Sequence, residues 1–142
     1  MPGDLTSILA RFRAAPVARL ATADADGHPH LVPVTFALSA GLSADVTIYL
    51  AVDHKPKTTR DLRRLRDIRA NPAVSILVDH YEDDWTSLWW ARADGTATII
   101  DDPAAMTAPV DLLVAKYPQY QRIRPAGPVI AIAVRRWLGW TG

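Results

Sequence analysis

The stretch VARLATADADGHPHLVPVTFAL, Val17–Leu38, contains two runs of β-forming residues separated by a short polar turn. The turn places Gly27 directly after Asp26, and glycine tolerates the positive φ that tight hairpins require. The two runs are therefore predicted to pair as antiparallel strands. The elements predicted in the rest of the chain are placed around this hairpin.

Four further runs have the composition of strands, at residues 46–52, 73–81, 86–100 and 128–140, and Gly95 is a plausible bulge in the long one. Helices are predicted from Asp4 to before Pro16, from about Thr58 to Ala70, and after the acid and proline that open DDPAAM. Six strands in mostly hairpin order predict a mainly β (α+β) fold, a small closed or partly split antiparallel barrel with flanking helices.

The composition indicates one packed domain, residues 1–142, since 49% of the residues are hydrophobic and 22% are charged. A formal net charge of +1 argues against a general nucleic-acid coat. The absence of cysteine excludes disulfides, thiolate zinc sites and cysteine nucleophiles. The first 16 residues have no unbroken apolar run, so neither a signal peptide nor a membrane span is predicted. We expect a soluble, cytoplasmic protein.

Positive charge is concentrated at residues 53–71, DHKPKTTRDLRRLRDIRAN, which hold seven Lys or Arg against three acids. Here the end of the third strand leads into a helix, whose first turn offers unpaired N–H groups. Lys55, Lys57, Thr58 and Thr59 arrive at that turn, which is how a phosphate or carboxylate site is built. The alternative is a solvated basic helix, whose arginines pair with the acidic run at 79–84.

Other chemistries find less support in the sequence. His28 and His30 stand two apart in a predicted strand and share a face, but no third metal ligand is evident nearby. His80 lies in an acidic run that is more typical of an exposed turn, so no metal site is predicted. The serines lack a nucleophile-elbow context and no Gly-rich phosphate loop occurs, which disfavours hydrolases and nucleotide kinases.

Five tryptophans are many for this length, and Trp89 and Trp90 are adjacent in the predicted fifth strand. Neighbouring strand residues face opposite sides, so one indole can enter a core while the other meets solvent, a ligand or a second subunit. The favoured interpretation is that the two indoles pack into two separate cores or at a dimer interface. The alternative is that they stack on a ligand.

The order ARLATADADGHPHLVPVTF, IYLAVDHKPKTT, IRANPAVSILV and WWARADGTA, within residues 17–100, resembles the split-barrel flavin and deazaflavin reductases related to pyridoxamine 5'-phosphate oxidase. This resemblance implies a homodimeric six-stranded split barrel of the FMN-binding type. It also implies a flavin-type cofactor in the groove between subunits, with its phosphate held by basic residues after the third strand.

The resemblance also implies particular contacts. It places the phosphate at Lys55, Lys57 and Thr58, the ring system along Val32, Pro33, Val34 and Thr35, the ribityl chain near Leu50 and Ala51, and Trp89 and Trp90 at the cofactor from the other subunit. A longer helix than in the simplest members allows an alternative register, with Arg63 and Arg64 at the phosphate. Where oxidase members have glutamine two residues before the R-x-x-G arginine, this chain has Trp90.

The oxidase activity itself is not expected, because the chain ends VRRWLGWTG instead of with an arginine-leucine-histidine type sequence. The surplus arginines and the RANP motif favour coenzyme F420, with FMN as the alternative. The function this implies is hydride transfer between a deazaflavin and a small planar organic acceptor. Thr35, Tyr49, His28 and His30 could assist at the ring, but no catalytic residue is identified. Rival hypotheses are a non-catalytic cofactor carrier and a barrel that binds single-stranded nucleic acid.

Overall fold

The computed structural model describes residues 1–52 and 59–142, with side chains from residue 63 onward in the second range. The helices are α1 (Leu5–Ala14), α2 (Thr59–Ala70), α3 (Pro103–Lys116) and α4 (Pro118–Arg122). The strands are β1 (Ala18–Ala23), β2 (Pro29–Val34), β3 (Ala37–Leu38), β4 (Thr47–Ala51), β5 (Ala73–His80), β6 (Trp89–Ile100) and β7 (Val129–Thr141). Among the helices of these two ranges, none has the length and apolar character that crossing a bilayer requires.

The strands form one antiparallel sheet in the order β2-β1-β5-β6-β7-β4-β3. The predicted mainly β, α+β architecture with flanking helices is confirmed, but the described residues contain seven strands where six were predicted. The extra strand arises because the predicted second strand is interrupted at Thr35 and Phe36, after which Ala37 and Leu38 pair with β4. If β2 instead continued alongside β1, Ala37 and Leu38 could not pair with β4.

That interruption also explains the curvature of the sheet. The two edge strands, β2 and β3, are joined by only Thr35 and Phe36, so the Cα atoms of Val34 and Ala37 lie at most about 11 Å apart. Because the two edges of the sheet must approach each other, the sheet curls into a barrel that is split along this seam.

The hairpin and the bulge have the predicted geometry. Gly27 adopts φ 85° in the turn between β1 and β2, and the Asp24 carboxylate accepts the backbone N–H groups of Asp26 and His28 at 2.9 Å each. The His28 amide is the main reason that the Asp24 pKa is lowered. In the pairing of β6 with β7, the register shifts between Asp94 and Gly95, which confirms the predicted bulge.

The interior of the barrel is one apolar cluster, and helices α1 and α2 both contribute side chains to it. Phe12 of α1 is fully buried and lies edge-on to Phe36 and Trp137, with ring centroids 6.0 and 5.5 Å away. Leu65 and Ile68 of α2 pack into the same cluster. The apolar stripe predicted for this helix is therefore buried at Leu65 and Ile68, and these two side chains fix α2 beside the sheet.

A second, smaller cluster joins α3 to β3 and β4. Leu113 and Tyr117 pack on Ala37 and Ala51. The Tyr117 hydroxyl accepts the backbone N–H of Phe36 at 3.1 Å and lies 2.9 Å from the Pro16 carbonyl, to which it donates. Burial raises the pKa of this hydroxyl, so the contact persists over the neutral range. It ties the seam at Phe36 to the helical flank.

Lys116, at the end of α3, is half-buried, and its ammonium group is shielded from solvent beside this second cluster. Its Nζ lies 3.7 Å from the centroid of the Phe36 ring, and no hydrogen-bond partner for it occurs in the described part of the chain. Burial lowers the Lys116 pKa to about 8. Below that pH the lysine is charged in both the folded and unfolded chains, and the folded state bears the full cost of desolvating it.

We expect Lys116→Met to raise the free energy of unfolding at neutral pH by about 1 kcal/mol, since solvent screening and the Phe36 ring offset part of the desolvation cost. The advantage should shrink as the pH rises from about 8 towards 10.5, where the folded wild type loses its proton before the unfolded chain does. Urea unfolding of both proteins across that interval measures the effect. A variant less stable than the wild type at neutral pH would contradict this account.

Candidate functional site

A cleft of about 330 Å³ lies between edge strand β2 and helix α2, and we call it the α2 cleft. It is lined by Thr22, His30, Leu31, Val32, Pro33, Arg63, Arg64 and Asp67. The lining combines an apolar strand edge with two guanidinium groups, one imidazole and one carboxylate. This is a set of groups suited to a ligand with an anionic end and an apolar body.

The local structure explains why these side chains meet. Among the described strands, β2 pairs only with β1, so one of its edges is open there, and Leu31 on β2 is 68% exposed. On α2, Arg63 and Asp67 are four residues apart and therefore share a helix face. Because Leu65 and Ile68 hold α2 against the barrel, that face is kept beside β2.

The polar groups of the α2 cleft are close together. Arg63 Nη2 donates to His30 Nε2 at 3.0 Å, and the same His30 nitrogen lies 3.7 Å from Asp67 Oδ2. Asp67 is only 4% exposed, and within the described part of the chain its Oδ2 atom has no hydrogen-bond donor. A buried carboxylate oxygen without a donor is unusual in folded proteins and calls for an explanation.

The structure brings some of the sequence-predicted site residues together and separates others. Val32, Pro33, Arg63 and Arg64 line the α2 cleft. Val34 and Leu50 are buried in the barrel core, and Ala51 packs on the Leu113 cluster. Ligand contacts at Val34, Leu50 and Ala51 thus stay predictions.

Thr35 lies away from the α2 cleft. Its Oγ1 is 2.7 Å from the Tyr120 hydroxyl, and it lines a separate cavity of about 300 Å³ with Pro16, Tyr117 and Gln119. A role for Thr35 at a cofactor ring stays a prediction.

The lysine anchor predicted for the phosphate lies outside the described residues. Lys55, Lys57 and Thr58 fall in 53–58, and Thr59 begins α2 but its side chain is likewise outside the description. The alternative register, with Arg63 and Arg64 at an anion, is the one whose side chains are seen to line a cleft.

The adjacent tryptophans face opposite sides of β6, as predicted. Trp89 packs against the barrel core and lines a cavity of about 660 Å³, with the Arg11 guanidinium 4.6 Å from its ring centroid. Trp90 lies in register with Trp140 of β7, and the Arg92 guanidinium is 5.8 Å from its ring centroid. Contact of either indole with a ligand on a second subunit stays a prediction.

The histidines and the acidic run have structural partners. His28 Nδ1 lies 3.2 Å from Asp24 Oδ2 at the hairpin, whereas His30 contacts α2, so the two do not share a ligand. His80 pairs with Glu82, and Asp84 caps the short 3₁₀ turn Trp85–Ser87. Asp24, Asp26 and His28 bring ligand atoms within 4.8 Å of one another, but the Asp24 carboxylate is already engaged by the turn, and we assign no ion to this group.

Sequence reasoning missed Thr22, Leu31 and Asp67 of the α2 cleft, and of these only Asp67 is charged. Its position four residues after Arg63 indicates a shared helix face, and that signal was available. Its burial and its approach to His30 depend on how α2 docks against β2, which no local pattern reports. His30 was considered as a metal ligand or ring contact, and the structure places its Nε2 atom beside Arg63 and Asp67.

Comparison with known proteins identifies the family. The family model described as pyridoxamine 5'-phosphate oxidase matches residues 6–141. No curated protein matches the chain.

Solved structures share the fold at low sequence identity. The conserved hypothetical protein Rv2991 from Mycobacterium tuberculosis is 22% identical, with a TM-score of 0.76 over 98% of this chain and 85% of that one. A FAD-binding protein from Mesorhizobium loti is 20% identical, with a TM-score of 0.73 over 98% and 95% of the two chains. The FAD-binding protein from Mycobacterium smegmatis is 14% identical, with a TM-score of 0.64 over 99% and 96%.

These matches agree with the split barrel and its flanking helices. Since the family model covers nearly all of the residues, the chain belongs to the pyridoxamine 5'-phosphate oxidase family.

Proposed function

We propose that the protein is an oxidoreductase that binds a phosphorylated flavin-type cofactor, with the phosphate end in the α2 cleft. The observation that carries the proposal is that Arg63 and Arg64 line the same cleft as the open apolar strand edge Leu31–Pro33. Guanidinium groups bind phosphate through charge-assisted hydrogen bonds, and an apolar edge suits a flat ring system. The FAD-binding proteins of M. loti and M. smegmatis, which share the fold, support a flavin-type ligand.

The roles of the chain's own residues follow from this placement. Arg63 and Arg64 hold and orient the anionic end, while Leu31, Val32 and Pro33 exclude water along one side of the ligand. A bound flavin or deazaflavin supplies the hydride-transfer chemistry. The protein then needs to position the acceptor, and no nucleophile is required.

We further propose that a second copy of the chain completes the site. The α2 cleft, at about 330 Å³, is near the lower end of the range for small-molecule sites, about 300–1,000 Å³, so part of a flavin would extend beyond it. Leu31, on the open edge of β2 beside the cleft, is 68% exposed, and Trp140 of β7, four strands away in the sheet order, is 37% exposed. Exposed apolar side chains favour association with another surface.

We expect a homodimer in solution, with the cofactor at the subunit interface. Light scattering after size exclusion should give twice the chain mass of 15.6 kDa, and Leu31→Arg should shift the population towards that single-chain mass. The reason is that a guanidinium on an apolar interface leaves a desolvated charge. A wild type that stays monomeric at micromolar concentration would contradict the proposed interface.

Coenzyme F420 is our first candidate for the cofactor, and FMN is the second. The additional carboxylates of F420 need cations beyond the phosphate, and the exposed Arg66 and Arg69 continue the positive charge of α2 past Arg63. The FAD-binding proteins of the same fold instead favour a flavin. We expect a small planar organic molecule as the acceptor of the hydride.

Fluorescence titration of the purified protein with F420, FMN and riboflavin tests the proposal. Both phosphorylated compounds should bind at least about tenfold more tightly than riboflavin, which lacks the phosphate, because a charge-assisted hydrogen bond contributes about 1.5–3 kcal/mol. Oxidation of the reduced, loaded protein by a quinone then distinguishes an oxidoreductase from a carrier. Equal affinity for riboflavin and FMN would contradict phosphate binding.

A further inference from the structure

The strongest unexplained feature of the molecule is the Asp67 carboxylate in the α2 cleft. Its Oδ2 atom is buried and, within the described residues, has no donor, although His30 Nε2 is only 3.7 Å away. A modest movement of that imidazole would bring the two atoms to hydrogen-bonding distance, about 2.8 Å. The carboxylate is therefore placed to receive a proton donor that the observed arrangement does not supply.

The Arg63 guanidinium prevents His30 from being that donor. Arg63 Nη2 lies 3.0 Å from the same Nε2 atom, and a guanidinium can only donate hydrogen bonds. Nε2 must then act as the acceptor and carry no proton. Since one nitrogen cannot accept from Arg63 and donate to Asp67 at once, the two contacts exclude each other.

We infer that an anion bound in the α2 cleft draws Arg63 away from His30, after which His30 takes up a proton at Nε2, keeps it, and donates a hydrogen bond through it to Asp67 Oδ2. The inference rests on the proposed function, because it concerns the same site. The proton comes from solvent, and no covalent bond to carbon or phosphorus forms or breaks. Asp67 is thus a positioning residue, which holds His30 as an additional cation beside the ligand.

Charge balance supports this sequence of events. Among the described lining residues, Arg63 and Arg64 carry two positive charges and Asp67 carries one negative charge, so with His30 neutral their sum is +1. With His30 protonated the sum becomes +2, which matches the terminal phosphate monoester of FMN, whose charge is about −2 near neutral pH. A dianion therefore favours the protonated form of His30.

Within the described residues, the charged groups that line the cleft beside His30 belong to α2. On α2, Arg63, Arg64 and Asp67 face it, and on β1 the neighbouring residue is the uncharged Thr22. On its own hairpin, Asp24 is engaged by His28 and by backbone amides.

Calorimetric titration with FMN, in buffers of different ionisation enthalpy, counts the protons that are taken up on binding. Because the ligand's own phosphate also exchanges protons, the quantity to compare is the difference between wild type and His30→Gln. We expect the wild type to take up more protons, by a difference approaching one per site at about pH 7. Its affinity relative to His30→Gln should fall as the pH rises, by at most about tenfold per pH unit, because binding is coupled to the uptake of one proton.

Two further variants sharpen the test. His28→Gln, two residues away at a mostly exposed histidine, should keep the wild-type proton count. Asp67→Asn should lose the extra proton uptake while preserving the shape of the side chain. A purely structural role for Asp67 would change stability but leave the proton count as in the wild type.

Inorganic pyrophosphate as a second probe separates the two ways of failing. Extra proton uptake with pyrophosphate in the absence of FMN binding would support the inference and overturn the proposed flavin function. FMN binding with equal proton counts in wild type and His30→Gln would overturn the inference and leave the proposed function standing. Equal counts with both probes would likewise overturn the inference.

Discussion

Replacing Arg63 and Arg64 together by alanine should weaken FMN binding by at least about a hundredfold, because two charge-assisted hydrogen bonds contribute about 3 kcal/mol or more. Both side chains line the α2 cleft, where they are the guanidinium groups beside the apolar edge of β2. The loss should be much smaller for riboflavin, which has no phosphate for them to hold. The ratio of the two affinities, measured by fluorescence titration, is the quantity to follow.

The matched control is a double replacement of Arg66 and Arg69 by alanine. These arginines are exposed on the same helix, and their removal changes the net charge by the same amount. FMN binding should then fall severalfold at most, through the weaker long-range field. Equal losses in both double variants would show that α2 attracts the ligand by general charge, and the assignment of the phosphate to the cleft would be wrong.

A valine at Gly95 should destabilise the fold more than any change on the surface, by about 3 kcal/mol or more. Gly95 lies at the β6 bulge, where an added Cβ would run into the Ala133 carbonyl oxygen and come within 3.0 Å of Ile132 Cγ2. These atoms belong to β7 and cannot withdraw without separating the strands. The variant should melt about 10 °C below the wild type, if it folds.

Thr96→Val provides the comparison for Gly95→Val. Thr96 is the next residue of β6 and is exposed, and valine suits a strand. Its melting temperature should lie within a few degrees of the wild type, about 2 °C. A Gly95→Val protein that melts with the control would mean that the bulge does not need glycine.

The elements governed by local chemistry were predictable from the sequence. The hairpin needs Gly27 in a positive-φ turn, and α1 needs an Asp4 cap, whose carboxylate accepts the Ser7 amide at 2.8 Å. The bulge at Gly95 was likewise marked by a glycine inside a strand pattern. In each case the signal and the structure lie within a few residues of each other.

The features that depended on distant contacts were not predictable. The short strand at Ala37 and Leu38 exists because β4 pairs with it across the seam of the barrel, and the run of residues around it reads as one continuous strand. The burial of Asp67 depends on the docking of α2 against β2. For the same reason, the four residues Val32–Thr35 read as one ligand-contacting run, whereas the structure divides them among the cleft, the core and a separate cavity.

A crystal structure of the protein with FMN bound tests the central claim most directly. The account predicts the phosphate oxygens within about 3 Å of the Arg63 or Arg64 guanidinium, with the ring following the β2 edge towards the partner subunit. FMN seated in the 660 Å³ cavity beside Trp89, with the α2 cleft empty and Arg63 still bound to His30, would contradict it.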